Sequence, residues 1–180
     1  MEDLSLHILD IAENSVRAGA TRVEIRVCEN GEEDRLSIRI ADDGRGMSAE
    51  MLAQARDAFF TTRTERRVGL GLPLLEQAAR ATGGRLEIDS APGAGTQVLA
   101  VFGLSHLDRQ PLGDMAGTLL ALAVGHPQVE FTYLHQRGDW QSSFSTAAIR
   151  AQLSGRSVSS PQGIAVLRQA LENLRQQTRE

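Results

Sequence analysis

A short acidic and glycine-containing stretch, DDGRGM at residues 42–47, combines residue types that can recognise a purine base. A carboxylate such as that of Asp42 can accept a hydrogen bond from an exocyclic amino group like that of adenine. Gly44 and Gly46 have no Cβ, so the backbone can approach a flat ring closely. Taken alone, the same stretch also fits a tight turn between a strand and a helix, which is the simpler interpretation.

A second glycine pair occurs in GLGLPLL at residues 69–75. Glycines at the start of a predicted helix expose backbone N–H groups, and the helix dipole adds positive potential there, so this position suits phosphate. The stretch is neither the lysine-containing phosphate loop nor a dinucleotide fingerprint, because it lacks the lysine, the preceding strand and the third glycine. By itself the pair is weak evidence, since glycines commonly mark helix boundaries.

A polar stripe along the first predicted helix strengthens the nucleotide interpretation. Asp3, His7, Asp10, Asn14 and Arg17 are spaced by three or four residues and project in nearly one direction. The Asn14 amide oxygen suits Mg²⁺, and the Arg17 guanidinium suits phosphate oxygens. Asp10, one turn before Asn14, could orient or deprotonate an attacking group. A solvated helix face is the alternative, but this order of acid, amide and base suits Mg-nucleotide chemistry.

The elements that must position these residues alternate between helical and strand periodicity. Residues 3–18 predict a helix closed by Gly19, and residues 23–27 and 36–40 predict a hairpin across the polar ENGEED turn. Helices at 48–59 and 70–82 and strands at 86–88 and 98–102 follow, with FFTTRTERRV as a loop. These elements predict an α/β (α+β) two-layer sandwich, in which three helices cover one face of a mostly antiparallel mixed sheet.

The chain is expected to have two parts, residues 1–103 and 104–180. In the second part the pattern predicts a small α/β subdomain: a helix at 111–124, a hairpin at 129–136 and 140–145, a short helix at 147–153 and a last helix at 164–177. We expect this part to dock on the first or to mediate self-association, which would give a homodimer.

Composition limits the functional classes. The 180 residues are 41% hydrophobic with a formal charge of −4, which argues against a nucleic-acid partner. There is no apolar run of about 18 residues and no secretory signal, so no membrane span and a cytoplasmic location are expected. Cys28 is the only cysteine, which excludes disulfides and multi-cysteine zinc sites within the chain.

Five motifs in order resemble those of a known superfamily. LDIAENSVRAGA, DDGRGM, FFTTR, GLGLPLLEQAARATGG and PGAGT resemble the N, G1, F and G2 boxes and the closing glycine–threonine turn of the GHKL ATP-binding fold. That superfamily includes sensor histidine kinases, anti-sigma-factor serine kinases, DNA gyrase B, MutL proteins and a heat-shock chaperone. The resemblance covers about residues 3–103 and implies a Bergerat-type, histidine-kinase-like domain that binds ATP and Mg²⁺. Residues 104–180 resemble the tail of small stand-alone bacterial proteins with such a domain.

The resemblance also implies individual roles. Asp42 would bind the adenine amino group beside Gly44, Gly46 and Met47, and Thr96 would help to bind adenine. Asn14 would hold Mg²⁺ against the phosphates. The remaining residues of the implied cofactor-binding set lie near the phosphates: Arg17, Arg63 in the loop at 61–68, and the helix-start residues Gly69, Leu70, Gly71 and Leu72.

The position of the catalytic base departs from the patterns of this superfamily. The position four residues before the asparagine is glutamate in hydrolysing members and usually asparagine in histidine kinases, whereas here it is Asp10. Asp10 is therefore the candidate base. Its side chain is shorter than that of glutamate, so water would have to bridge the gap to the reacting group. Glu13 points about 60° away from the stripe and is the weaker candidate.

Three functions fit these residues. The first is a protein kinase, of histidine or serine type, that phosphorylates a protein partner in trans, because only two residues precede the first predicted helix and no phosphoacceptor module is seen there. The others are a nucleotide-switched module that binds a regulatory partner and a slow MutL-like ATPase. SHLDRQPL at 105–112 places His106 at a spacing like that of a phosphoacceptor box, with Leu107 where an acid is expected, and otherwise fits a polar turn.

Overall fold

Six helices and six strands make up the part of the chain that the computed structural model describes, residues 3–56, 71–153 and 155–179. In chain order they are α1 (Leu4–Arg17), β1 (Arg22–Asn30), β2 (Arg35–Asp42), α2 (Ala49–Arg56), α3 (Gly71–Ala81), β3 (Arg85–Ser90), β4 (Thr96–Gly103), α4 (Met115–Gly125), β5 (Glu130–Arg137), β6 (Trp140–Ser145), α5 (Thr146–Gln152) and α6 (Pro161–Arg179).

All six strands form one sheet in the order β3-β4-β2-β1-β5-β6. Only the β1–β5 pair is parallel, and the other four pairs are antiparallel. The predicted mixed, mostly antiparallel α/β fold is thus confirmed. The predicted hairpin of the second part, β5 and β6, continues the sheet alongside β1. The division at residue 103 stays a prediction about domains.

One side of the sheet is covered by helices and supplies the core. Alternate residues of β1 and β2 are at most 2% exposed: Val23, Ile25, Val27, Leu36, Ile38 and Ile40. The apolar face of α1 packs into the same core through Leu4, Ile8, Ile11 and Ala12. Burying a large aliphatic side chain contributes about 1.5–3 kcal/mol, so these contacts fix the orientation of α1 on the sheet. The opposite, polar face of α1 is thereby directed away from the sheet.

The ends of α1 are defined by local hydrogen bonds. The carboxylate of Asp3 accepts the Leu6 N–H at 3.1 Å and caps the first turn. At the other end Gly19 has a φ of +80° and donates its N–H to the Val16 carbonyl, so it acts as the predicted C-terminal stop. These bonds fix where α1 begins and ends, and so they fix the positions of its polar residues along the helix axis.

The second part of the chain packs directly against α1. The Leu4 N–H donates to the Pro111 carbonyl at 3.0 Å, and the Thr118 hydroxyl donates to the Ser5 carbonyl at 3.4 Å. Helix α4 thus lies beside α1, and α6 packs on α4 and β6. Within the residues described, no helix combines the length and apolar character needed to span a bilayer.

Candidate functional site

The carboxylate of Asp42 lies at the end of β2 and is held by three donors from different parts of the chain. The Ser15 hydroxyl of α1 donates to its Oδ2 at 2.6 Å. The backbone N–H groups of Gly44 and Thr96 donate to its Oδ1 at 2.9 and 3.2 Å. An ionised carboxylate is an acceptor only, so this group is oriented to take a further hydrogen bond from a donor.

Two glycine turns interlock beside Asp42. Gly46 has a φ of +65°, and a Cβ there would lie 2.0 Å from the Ala91 carbonyl oxygen. Gly95 has a φ of +78°, and a Cβ there would lie 1.9 Å from the carbonyl oxygen of Asp42 itself. Both positions combine left-handed backbone with close approach, so the loops at 43–48 and 91–95 depend on glycine for their fit.

Ser90, at the end of β3, connects these two loops. Its hydroxyl oxygen accepts the Met47 N–H at 2.9 Å, lies 2.9 Å from the Thr96 hydroxyl, and lies 3.0 Å from the Gly95 carbonyl. The sheet register places Thr96 opposite both Asp42 and Ser90. The predicted residues Asp42, Met47 and Thr96 are therefore linked through the Ser90 hydroxyl and the Thr96 backbone N–H.

The outer face of α1 adds an amide and a guanidinium to the same end of the molecule. Arg17 donates from Nη1 to Oδ1 of Asn14 at 2.8 Å. Asn14 directly precedes Ser15, the residue whose hydroxyl donates to the Asp42 carboxylate. The amide oxygen that could hold a metal ion is therefore already oriented by a cation, and a metal ion would have to replace that hydrogen bond.

The carboxylate of Asp10 lies against the first described residue of α3. A Cβ added at Gly71 would be 1.7 Å from Oδ2 of Asp10, so a larger residue there would require the Asp10 side chain to move. A negative charge at a helix N-terminus is stabilised by the helix dipole. Asp10 thus lies where the sequence predicts a phosphate-binding helix start. Leu72, also in the predicted set, packs against the hydrophobic core.

Three predicted site residues, Arg63, Gly69 and Leu70, lie outside the described residues, as do the FFTTR motif and the loop at 61–68.

The weaker base candidate, Glu13, is engaged elsewhere. Its Oε1 lies 2.9 Å from Nε2 of His126, the residue that follows α4. His7, on the polar stripe, is only 2% exposed, and burial lowers its pKa. The stripe is therefore not a uniformly solvated face, because His7 is buried and Asp10 contacts α3.

His106 lies at the far end of the sheet from Asp42. Its N–H donates to the carbonyl of Gly103, the last residue of β4, whereas Thr96 begins that strand beside Asp42. Seven residue steps of a strand span about 24 Å. In addition, the Asp108 N–H donates to Nδ1 of His106 at 3.1 Å. Within one molecule His106 therefore lies too far away to reach a group bound beside Asn14.

Three polar residues at the site were not recognised from the sequence. Ser15 and Ser90 are described above, and the third is Asp43. Its carboxylate accepts the backbone N–H groups of Thr21 and Arg22 at 2.8 Å and the Thr21 hydroxyl at 2.6 Å. Burial acts to raise the pKa of Asp43, but these hydrogen bonds outweigh it and hold the pKa below its usual range. These hydrogen bonds attach Asp43 to the start of β1. In the sequence, only the position of Asp43 next to Asp42 could have indicated them.

Comparison with known families and proteins supports the resemblance that the motifs indicate. Residues 2–106 match the family described as "Histidine kinase-, DNA gyrase B-, and HSP90-like ATPase". The chain is 35% identical over 79 residues to the sensor histidine kinase ZraS of Klebsiella oxytoca, and this match covers 44% of the chain and 16% of ZraS. It is 36% identical over 89 residues to the sensor protein kinase FleS of Pseudomonas aeruginosa, covering 49% of the chain and 22% of FleS. The chain therefore spans a small part of these relatives.

Two solved structures share the fold. The N-terminal domain of a DNA repair protein superposes with a TM-score of 0.57 at 15% identity, over 79% of this chain and 52% of the other. The Aquifex aeolicus MutL ATPase domain, complexed with ADP, superposes with a TM-score of 0.51 at 19% identity, over 78% of this chain and 63% of the other. At these identities the likeness is one of fold.

Proposed function

This chain belongs to the histidine kinase-, DNA gyrase B- and HSP90-like ATPase family, and on that premise we propose that it binds Mg-ATP between Asp42 and Asn14. The observation that carries the proposal is the Asp42 carboxylate, which receives hydrogen bonds from Ser15, Gly44 and Thr96. In this proposal its remaining lone pairs accept a hydrogen bond from a base that lies beside Gly46 and Met47.

At the base end, Asp42 selects adenine. The exocyclic amine of adenine is a donor and pairs with an acceptor-only carboxylate, whereas guanine presents a carbonyl oxygen at the same position. A site built to pair with one hydrogen-bonding group rejects an analogue that leaves it unpaired. Thr96, held by Ser90, adds a hydroxyl beside the ring.

At the phosphate end, the donor set fits Mg²⁺. This metal ion is usually bound by one or two protein oxygens together with substrate phosphates, and Asn14 offers such an oxygen on the same helix as Ser15. When bound, Mg²⁺ neutralises charge on the phosphates. Arg17 would leave the Asn14 oxygen to the metal ion and pair with a phosphate oxygen, and Gly71 would lie near the phosphates at the start of α3. Arg63, Gly69, Leu70 and Leu72 complete the proposed set.

We propose that the activity is phosphoryl transfer from ATP to a separate protein in a cytoplasmic signalling pathway. Support comes from relatives named sensor kinases. Asp10 is the proposed base, since its carboxylate lies on the Asn14 face of α1 beside Gly71. Its short side chain makes a slow rate the expected outcome. The alternative is a slow MutL-like ATPase, in which the same site transfers the phosphoryl group to water and no protein acceptor takes part.

A nucleotide-switched binding module is the second candidate, and one observation favours it. Helix α1 would bind the nucleotide on one face, and on its other side it contacts Pro111, Thr118 and His126 of the second part. A change in α1 on binding would be passed to residues 104–180. In this scheme residues 1–103 are the nucleotide domain, and residues 104–180 dock a protein partner or a second copy.

Calorimetric titration with ATP and GTP, with and without Mg²⁺, tests the proposed binding. ATP is expected to bind and GTP to bind much more weakly. Asp42→Asn is expected to weaken ATP binding by about 1.5–3 kcal/mol, the usual contribution of a hydrogen bond to a charged group. Asp89→Asn, an exposed carboxylate on β3, is the matched control and should bind ATP normally. Unchanged ATP affinity in folded Asp42→Asn protein would remove the basis of the proposal.

Incubation with γ-labelled ATP separates the proposed activities. Transfer in trans predicts label on co-incubated proteins with the wild-type chain and none with Asp42→Asn. Release of free phosphate without labelled protein would identify an ATPase instead. Binding without turnover would identify a switch, and acid-labile label on the chain itself that disappears in His106→Ala would contradict transfer to a separate protein.

A further inference from the structure

On the outer face of α1, Glu13 and Arg17 each form a hydrogen bond with another residue and not with each other. Glu13 and Arg17 are four residues apart with the acid first, which is the favoured arrangement for an ion pair along a helix. Within the described residues these two side chains form no ion pair. Arg17 donates instead to Asn14 Oδ1 at 2.8 Å, and Glu13 lies 2.9 Å from Nε2 of His126.

His126 comes from the second part of the chain and lies outside residues 2–106, which the family match covers. It follows α4, and its backbone N–H donates to the Leu122 carbonyl, so the end of α4 holds its position. The side chains of His126 and Glu13 are 23% and 30% exposed, so their hydrogen bond is partly shielded from water. A partly shielded bond of this kind is a stronger competitor for the carboxylate than an exposed arginine.

We propose that His126 is a positioning residue for phosphate binding: it holds the Glu13 carboxylate on the α4 side of α1 and so keeps Arg17 available on the Asn14 side. Without His126, Glu13 pairs with Arg17. That pair draws the guanidinium away from Asn14 and places a negative carboxylate beside the phosphates. The inference rests on the proposed nucleotide site and adds to it a contribution from residues 104–180.

The role predicts an effect that depends on the number of phosphates. Removing His126 should weaken ADP and ATP and leave adenosine unchanged, because adenosine has no phosphate for Arg17 to bind. Exposed ion pairs on a helix are weak, so we expect a loss of about 1.5- to 2.5-fold in ADP affinity. A general loosening of the fold would weaken adenosine and ADP alike.

The test is calorimetry with adenosine and ADP on the intact chain, using single and double variants. His126→Ala should lose ADP affinity, and His126→Gln, which keeps an N–H donor, should retain most of it. The double variant His126→Ala with Glu13→Gln should regain wild-type ADP affinity, because the competing charge is gone. His106→Ala, an exposed histidine of the same segment, is the control and should bind ADP as the wild type does.

Wild-type ADP affinity in folded His126→Ala protein would overturn the inference, as would a double variant that is no better than His126→Ala. If the wild-type chain binds no adenine nucleotide, the proposed function fails, and a crystal structure of His126→Ala still decides the inference. An Arg17–Glu13 ion pair in that structure supports it, and Arg17 still bonded to Asn14 contradicts it.

Discussion

The hydroxyl of Ser15 donates a hydrogen bond of 2.6 Å to Oδ2 of Asp42, which joins the last turn of helix α1 to the end of strand β2. Ser15 is only 4% exposed, and its hydroxyl oxygen also lies 3.2 Å from the Ile11 carbonyl oxygen. A short hydrogen bond to a carboxylate is stronger than one between neutral groups, and it sets the direction of the remaining lone pairs. Ser15 thus links the orientation of Asp42 to the packing of α1.

Ser15→Ala is expected to weaken adenosine and ATP equally, by about 0.5–1.5 kcal/mol, because one of the donors that orients Asp42 is lost. Calorimetry with both ligands measures the effect. Ser5→Ala is the matched control, since Ser5 is a buried serine of the same helix whose hydroxyl bonds to Asp3, away from the site. Equal affinities in Ser15→Ala and wild type would mean that Asp42 does not need this bond.

Asn14→Ala should remove the dependence of ATP binding on Mg²⁺. The alanine has no oxygen for the metal ion, while Arg17 and Asp42 still contact the nucleotide. Titrations of ATP at increasing Mg²⁺ concentration measure this dependence. Asn173→Ala, an exposed asparagine on α6, should behave like the wild type. A Mg²⁺ dependence that survives in Asn14→Ala would show that the metal site lies elsewhere.

Gly46→Ala is expected to destabilise the fold by more than about 2 kcal/mol. The cost combines the left-handed backbone with overlap of the new methyl group and the Ala91 carbonyl oxygen. Gly93→Ala separates the two causes, because Gly93 has a φ of +76° but no atom within 4 Å of an added Cβ. It should cost about 1 kcal/mol. Urea unfolding measures both, and equal losses would mean that the overlap is relieved without cost.

The Glu29 carboxylate is expected to make the free energy of unfolding depend on pH in the acid range. Its hydrogen bond to His135, at 2.7 Å, lowers the pKa of Glu29 below its ordinary value of 4.5, although burial acts in the opposite direction. A carboxyl group with a lowered folded-state pKa stabilises the fold above its unfolded pKa, and this stabilisation is lost as the pH falls through the folded pKa.

Glu29→Gln should therefore flatten the loss of stability below about pH 4.5, the ordinary value of this carboxyl group. Urea unfolding from pH 3 to 6 measures the slope. Glu33→Gln, at an exposed carboxylate in the turn that follows β1, is the control and should keep the wild-type slope. Parallel curves for Glu29→Gln and wild type would contradict the assignment.

The local pattern of the sequence was enough to predict the elements that carry the site. Alternating apolar residues predicted β1 and β2, and helical spacing predicted α1 and α3, because these periodicities are set within a few residues of each other. Gly19 marked the end of α1 for the same local reason. The motif resemblance also identified the family, because it depends on the order of short segments along the chain.

The tertiary structure alone decided how distant polar residues meet. Ser15 and Asp42 are 27 residues apart and Glu13 and His126 are 113 apart, and no short pattern marks either pair. The parallel pairing of β5 with β1, which joins the second part of the chain to the same sheet, was likewise beyond the sequence pattern. Periodicity determines which face of an element is buried, whereas the packing of whole elements determines which polar side chains come within hydrogen-bonding distance.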